Sequence, residues 1–303
     1  MSIIVNTNMT ALKTQKNLTN STNALNTSLE RMSTGLKINK AGDDAAGLYV
    51  ATGLNTQIRG SKVAQSNVSI GNNVLQTVES DLDNILTNLN RIRDLATQAA
   101  NSVYSADARK AMADEVTARM AEIDRLSSAS NFNGLALLTG DGTSGLSKDG
   151  MRLQVGANAD ATGNSVTIPA DIFKKTDSTT LGNTNTDAEL TGKSIKTAAA
   201  DVFATNAAVS LAAHYISVLD SAINTISSNK STIGAVMNRL DAAATSLTTT
   251  IENNTAAKST IMDADIASES ADYTKAQILQ QTSATLLVQA NKLPQIAINL
   301  VQG

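Results

Sequence analysis

The sequence has no cysteine, no tryptophan, one histidine and two prolines in 303 residues. Without cysteine there is no disulfide framework, no thiol nucleophile and no thiolate metal site. The single histidine, His214, cannot supply the HExxH pair of a zinc peptidase, and no GxxxxGK(S/T) phosphate loop occurs. Carboxylate pairs such as Asp43-Asp44 and Asp263-Asp265 sit in polar stretches, where solvation or helix capping is their ordinary role. Aromatic residues are scarce, at 2% against 42% hydrophobic residues. A thick globular core leans on large aromatic side chains, so burial here falls to Leu, Ile, Val, Met and Ala in thin layers of helices. A net charge of −3 gives no electrostatic reason to expect nucleic acid or an anionic membrane. No apolar run approaches the roughly 20 residues that span a bilayer. The start, MSIIVNTNMTALKTQ, lacks the basic and apolar regions of a secretory signal. The chain either stays in the cytoplasm or leaves by a route that reads something else.

What the sequence does have is heptad spacing. Apolar residues three and four apart keep one helical stripe facing a partner. Leu18, Leu25, Leu29, Met32 and Leu36 keep that beat near the N-terminus. Leu75, Val78, Leu82, Ile85, Leu89, Ile92, Ala96 and Ala99 keep it next. A break follows at Asn101, with Ser105 or Asp107 placed to cap a helix carrying Met112, Val116, Met120 and Ile123. Later, Ile216 to Ile251 forms a long seam interrupted only by Lys230. Leu279, Leu286, Leu293 and Leu300, with Ala276, Ala290 and Ala297, form a last one. Pro294 lies inside it and predicts a bend there.

The centre differs. MRLQVG (Met151 to Gly156) and NSVTIPA (Asn164 to Ala170) read as a hairpin bounded by glycine turns. From Lys174 to about Ala198 the chain is rich in Thr, Asn, Asp and Gly, and reads as a surface excursion with little to bury. The expected class is therefore mainly α, with long coiled-coil-like helices and a small β-hairpin region in the middle. The terminal seams, matched in pattern, are placed to bury each other. A lone two-helix coil offsets its ordering cost poorly, so both ends are expected to order only against neighbouring copies.

Several motifs then stand in a recognisable order: IVNTNMTAL, LERMSTGLKINKAGDDAAGL, NRIRDLATQAAN and EIDRLSSASNFNGLALL, then IGAVMNRLDAAATSL, IMDADIASESADYTKAQILQQ and QANKLPQIAINLV. Over roughly residues 2–140 and 205–303 the chain resembles bacterial flagellin. It departs in ending NLVQG and in the lengthened turn GDGTSGLSKDG, and its short centre implies that the large outer domains of long flagellins are missing.

The resemblance implies an inner-core coiled-coil domain from residues 1–42 and 263–303. It also implies an outer helical domain with hairpin from 43–173 and 200–262, and a variable surface segment at 174–199. Inner-core packing would fall to Leu18, Leu25, Leu29, Met32, Leu36, Leu279, Leu286, Leu293 and Leu300. The joint between domains would be formed by Gly35, Gly42, Asp43, Asp44 and Gly47, with glycines supplying the turns and Lys37 and Lys40 adding charge. The implied role is a structural subunit, not an enzyme and without cofactor, that is secreted unfolded and polymerises into the flagellar filament. Implied partners are other copies of the chain, an export chaperone on the C-terminal helix, and hook-junction and filament-cap proteins. Recognition by Toll-like receptor 5 would use Arg91, Leu95 and Glu115, in which Arg91 offers a forked donor and Leu95 an apolar anchor. A coiled-coil adaptor is the rival of another class, and a hook–filament junction protein is the nearest alternative within the same assembly.

Overall fold

A computed structural model describes residues 7–101, 103–140, 146–159, 163–181, 194–204 and 208–302; side chains at 147, 200–204, 208–210 and 293–302 lie outside that description. Among the described residues seven α-helices run in chain order: α1 Met9–Thr34, α2 Ala45–Ala99, α3 Ala106–Ala129, α4 Leu146–Asp149, α5 Ile195–Ala204, α6 Ala208–Met262 and α7 Ile266–Gln302. Two short antiparallel hairpins interrupt them, β1 Asn131–Phe132 with β2 Leu135–Ala136, and β3 Met151–Gln154 with β4 Ser165–Ile168. The second is the expected central hairpin, registered Met151 to Ile168 and Gln154 to Ser165. α2 and α6 each have 55 residues, about 80 Å of helix. α7 is helical through Pro294.

The chain divides into two compact units. One comprises Met1–Ile58 with Glu252–Gly303, the other Arg59–Ile251. The division falls inside α2 and α6, whereas the sequence drew its line at the joint near residues 42 and 263.

In the larger unit the seam read from sequence is the core. Leu75, Val78, Leu82, Ile85, Leu89 and Ile92 are fully buried in one cluster with Val116 and Ile123 of α3 and Leu219, Ile226, Ile233 and Leu240 of α6. Burying each such side chain contributes about 1.5–3 kcal/mol. Polar pairs run beside this seam. Gln65 donates to Thr248 (3.2 Å), Asn72 to Asp241 (3.0 Å), Lys230 pairs with Asp83, and Arg93 with Asp220 (2.6 Å). Each residue advanced on α2 is matched by one residue withdrawn on α6, as two antiparallel helices in fixed register require. Lys230, the one break in the predicted seam, thus belongs to this ladder. α3 starts at Ser105, whose hydroxyl accepts from the Ala108 amide (3.3 Å), as read from sequence. It is tied to α2 by Arg91–Glu115 and by Ser130 donating to Asp81 (2.5 Å).

The β3–β4 hairpin lies against α2, where Asn67 donates to the Gln154 carbonyl (3.2 Å). A Cβ added at Gly60 would stand 2.8 Å from the Ala157 Cβ and 3.2 Å from its Cα. Only a residue without a side chain fits that approach.

The segment 174–199 corrects its sequence reading. Thr176, Asp177, Ser178 and Leu181 are buried, and Ile195 and Ala198 of α5 join the core. Its polar groups are satisfied by hydrogen bonds, some local and some to Asp124 of α3, so burial costs little. Asp177 accepts from Thr179 (2.8 Å) and from the amide and hydroxyl of Thr180 (2.9 and 2.6 Å). Ser178 donates its amide and hydroxyl to Asp124 (2.8 and 2.9 Å). Residues 182–193 lie outside the described residues.

Candidate assembly surface

α1 and α7 pair antiparallel in the smaller unit. Asn8 caps α1, accepting from the Ala11 amide (3.0 Å) while its own amide donates to the Ala290 carbonyl of α7 (2.8 Å). Farther along, Gln280 donates to Thr22 (3.1 Å), and Arg31 stands 3.8 Å from Glu269. The α1 residues facing inward are Ala11, Thr14, Leu18, Ser21, Leu25, Ser28 and Met32, alternately three and four apart. On α7 they are Tyr273, Ala276, Gln280, Ser283, Leu287 and Ala290, on the same beat. The positions buried most deeply are all small: Ser28, Ala276, Ser283 and Ala290.

Leu18, Leu25, Met32 and Leu36 are partly buried along the expected face. Three of the leucines assigned to this seam are not in it. Leu29, Leu279 and Leu286 are 53%, 47% and 54% exposed, and Leu293 and Leu300 lie beyond the described side chains. The seam on α7 is offset by one residue from the expected beat, at Gln280 and Leu287 instead of Leu279 and Leu286. Short side chains let two backbones approach, and they set the inward face; a reading that follows the largest apolar residues picks the neighbouring stripe. Met9, Leu12, Ile278 and Val288 are exposed with these leucines.

The joint is a clasp of two chain segments. Gly35 closes α1 at φ 72°, with its amide on the Arg31 carbonyl (2.8 Å). Lys37 then donates to the Met262 carbonyl (2.6 Å), and Ala264 donates to the Gly35 carbonyl (2.9 Å). Ile38 is buried beneath them. Asp43 accepts from the amides of Asn39 (3.0 Å) and Lys40 (2.9 Å), which hold its carboxyl below the ordinary range. Asp44 accepts from the Gly47 amide (2.9 Å) and so starts α2. Lys40 pairs with Glu30 (2.8 Å), which raises its pKa. The side chains of Lys40, Asp43 and Asp44 are thus engaged within the chain. Gly42 has no positive φ, and Gly47 lies in the first helical turn, so of the three joint glycines only Gly35 makes a turn that requires one.

Arg91 and Glu115 meet in a forked pair (2.8 and 3.1 Å), with Arg119 3.8 Å from the same carboxylate. The hydrogen bond from Arg91 lowers the Glu115 pKa. Leu95 is 2% exposed within the core. It is not the surface anchor expected: although it lies one turn from Arg91, it belongs to the same buried cluster as Leu89, Ile92 and Val116. Among the described residues no group of three His, Cys, Asp or Glu side chains could hold a metal ion, and no helix is long and apolar enough to cross a membrane.

The features missed from sequence are the α2–α6 ladder and the α7 seam positions Gln280, Ser283 and Leu287, where two polar residues mask the spacing; Ala276 and Ala290 of that seam were read and are buried.

Residues 5–143 match the family model for the bacterial flagellin N-terminal helical region, and residues 216–301 match that for the C-terminal helical region. Flagellin FlaB2 of Treponema pallidum is 34% identical over 99% of this chain and 100% of its own. The flagellin of Bacillus subtilis is 35% identical over 98% of this chain and 99% of its own. The structure of a putative flagellar hook-associated protein from Vibrio parahaemolyticus has the same fold, with a TM-score of 0.57 at 16% identity over 72% of this chain and 99% of that one. With family models covering both helical halves and relatives matched from end to end, the chain belongs to the bacterial flagellin family, the subunits of the flagellar filament.

Proposed function

We propose that this chain is the bulk subunit of an open helical filament used for motility, exported unfolded by the flagellar secretion system and assembled through its terminal helices. The observation that carries this reading is the outward face of α1 and α7. Met9, Leu12, Leu29, Ile278, Leu286 and Val288 are each about half exposed or more. Apolar side chains exposed on a helix pair mark an interaction surface, while the most deeply buried positions of the α1–α7 seam are the small residues Ser28, Ala276, Ser283 and Ala290. Intramolecular pairing thus leaves the larger hydrophobic contribution to neighbouring copies, and a heterologous contact that does not close yields a filament.

Further partners follow from family membership. An export chaperone would cover α7 before secretion, and hook-junction and cap proteins would meet subunits at the filament ends. Toll-like receptor 5 would contact the exposed Arg91–Glu115 pair, with Leu95 shaping the packing beneath it. The role is structural, without catalysis or cofactor. Seeding purified chain with fibre fragments tests this: long fibres should grow and sediment quickly. Chain ending at Ala276 should stay helical and soluble without growing. Full-length chain that stops at a small oligomer, or normal fibres from the truncated chain, overturns the reading. A junction protein would add to fibre ends without elongating them.

A further inference from the structure

The β1–β2 hairpin after α3 turns through Asn133 and Gly134. Phe132 pairs with Leu135, so the loop between the strands is two residues long. Asn133 stands at φ 49° and Gly134 at φ 80°, the left-handed pair of a type I′ turn, which two-residue hairpins favour. Among the described residues Asn133 is the one residue other than glycine with positive φ. Both turn residues are exposed, whereas the chain on either side is held. Phe132 packs against the core cluster, Leu137 and Leu138 are fully buried, and the Leu137 amide donates to the Ser130 carbonyl (3.1 Å). Asn133–Gly134 is also the only asparagine followed by glycine in the sequence.

Glycine has no side chain to shield its amide nitrogen, and the asparagine before it offers an amide carbon at the reach of a small ring. We propose that Asn133 is a self-modification site, open to deamidation in the unfolded chain and closed by the type I′ turn in the folded one. The Gly134 nitrogen attacks Asn133 Cγ. The N–Cγ bond forms, the Cγ–Nδ2 bond breaks, and ammonia leaves with the amide proton. The cyclic imide then takes up water. Attack at Cγ gives aspartate; attack at the backbone carbonyl carbon gives isoaspartate, whose main chain runs through Cγ. Amide and water thus become carboxylate and ammonium, with no change of oxidation state.

Ring closure needs the Gly134 nitrogen on the same side of the Cα–C bond as Cβ. In a type I′ turn ψ of the first central residue is about +30°, which places that nitrogen nearly opposite Cβ. The nucleophile therefore reaches Cγ only when the turn opens. Each strand has only two residues, so the guard is the core's hold on Phe132 and Leu137 more than the ladder itself. The two products fit differently. Aspartate shares the tolerance of asparagine for the left-handed region. Isoaspartate adds a carbon to the main chain of the loop, and the Phe132–Leu135 register, which loop length sets, is lost. A chain that reacts before folding is marked at this hairpin, and a folded chain is spared. Neither the reaction nor its block needs a second copy of the chain.

The test incubates folded wild-type chain, the same chain in guanidinium chloride, and a synthetic peptide of residues 126–148 in guanidinium chloride, all in one mildly alkaline buffer. Samples quenched in acid are digested, and aspartate and isoaspartate at position 133 are separated and read by mass spectrometry. Asn131, followed by phenylalanine, is the internal control. Unfolded chain should react at the rate of the peptide, and folded chain at least about tenfold slower, since opening must precede reaction. Phe132→Ala, checked for retained helix by circular dichroism, should speed the reaction of the folded chain at least about threefold by freeing the hairpin. Equal rates in folded and unfolded wild-type chain, reaction at Asn131 as fast as at Asn133, or a folded Phe132→Ala rate identical to wild type overturns the proposal.

Discussion

Arg93 on α2 and Asp220 on α6 meet through Nε and Oδ1 at 2.6 Å, 127 residues apart in sequence. They end a ladder whose other steps are Asp83–Lys230, Asn72–Asp241 and Gln65–Thr248. Sliding α2 by one residue against α6 would break all four at once. Apolar side chains alone tolerate such slips better, since one leucine replaces another at modest cost.

Each step should nonetheless be thermodynamically weak. The Arg93 and Asp220 side chains are 42% and 44% exposed, and exposed pairs contribute about 0.2–1 kcal/mol. A double-mutant cycle with Arg93→Ala and Asp220→Ala, followed by thermal melting, should give a coupling in that range that shrinks with added salt.

Gly60 and Gly53 lie in the same helix and should respond oppositely to alanine. Gly53 has open space where a Cβ would go, so Gly53→Ala should stabilise by up to about 1 kcal/mol through helix propensity. At Gly60 the methyl meets Ala157, and overpacking costs about 1–3 kcal/mol. Urea unfolding of the two variants should give midpoints displaced to opposite sides of wild type.

The two stripes of α7 should separate stability from assembly. Ala276→Leu places a large side chain in the tight seam and should lower the melting temperature of the α1–α7 pair. Leu286→Ala removes an exposed group and should change the lone chain by no more than about 0.5 kcal/mol, while slowing fibre growth. Circular dichroism and seeded sedimentation, run side by side, read the two effects.

Leu95 and Arg91 should not behave as equals. Leu95→Ala opens a cavity in the core and should cost about 2–5 kcal/mol, whereas Arg91→Ala loses one exposed pair, worth about 1 kcal/mol or less. Receptor binding by soluble Arg91→Ala therefore isolates the surface contribution, and a loss seen only with Leu95→Ala reports unfolding. Melting curves recorded with each binding assay separate the two.

Acid should act on the segment around Asp177. Burial pushes this carboxyl up, but the Lys175 ammonium and the hydroxyls of Thr180 and Thr179 outweigh it, and the group rests below its ordinary 3.8. A group depressed in the folded state contributes stability above its unfolded value and loses it as pH falls through the folded one. The wild-type midpoint should therefore exceed that of Asp177→Asn at neutral pH, and the two curves should converge as pH drops below about 3.8.

The long helices were legible because Leu75 to Ala99 and Ile216 to Ile251 face a partner along their length, so period and burial coincide. Ser105 was legible because a cap is a local feature of a few residues. The inward face of α7 was not, since alanine, serine and glutamine carry little hydrophobic signal and the leucines beside them carry much. Nor was the burial of Thr176 to Leu181 visible, because the hydrogen bonds that make it tolerable reach Asp124, more than 50 residues away in sequence. Leu95 was misread for a different reason. The motif carried its identity over faithfully, but not how far the core cluster covers it.

The clasp at Lys37–Met262 and Ala264–Gly35 has a mechanical consequence. A single connecting strand swivels freely about its backbone bonds. Two strands cross-linked by amide hydrogen bonds share any twist applied to them, so torque entering α1 and α7 is delivered to α2 and α6 together.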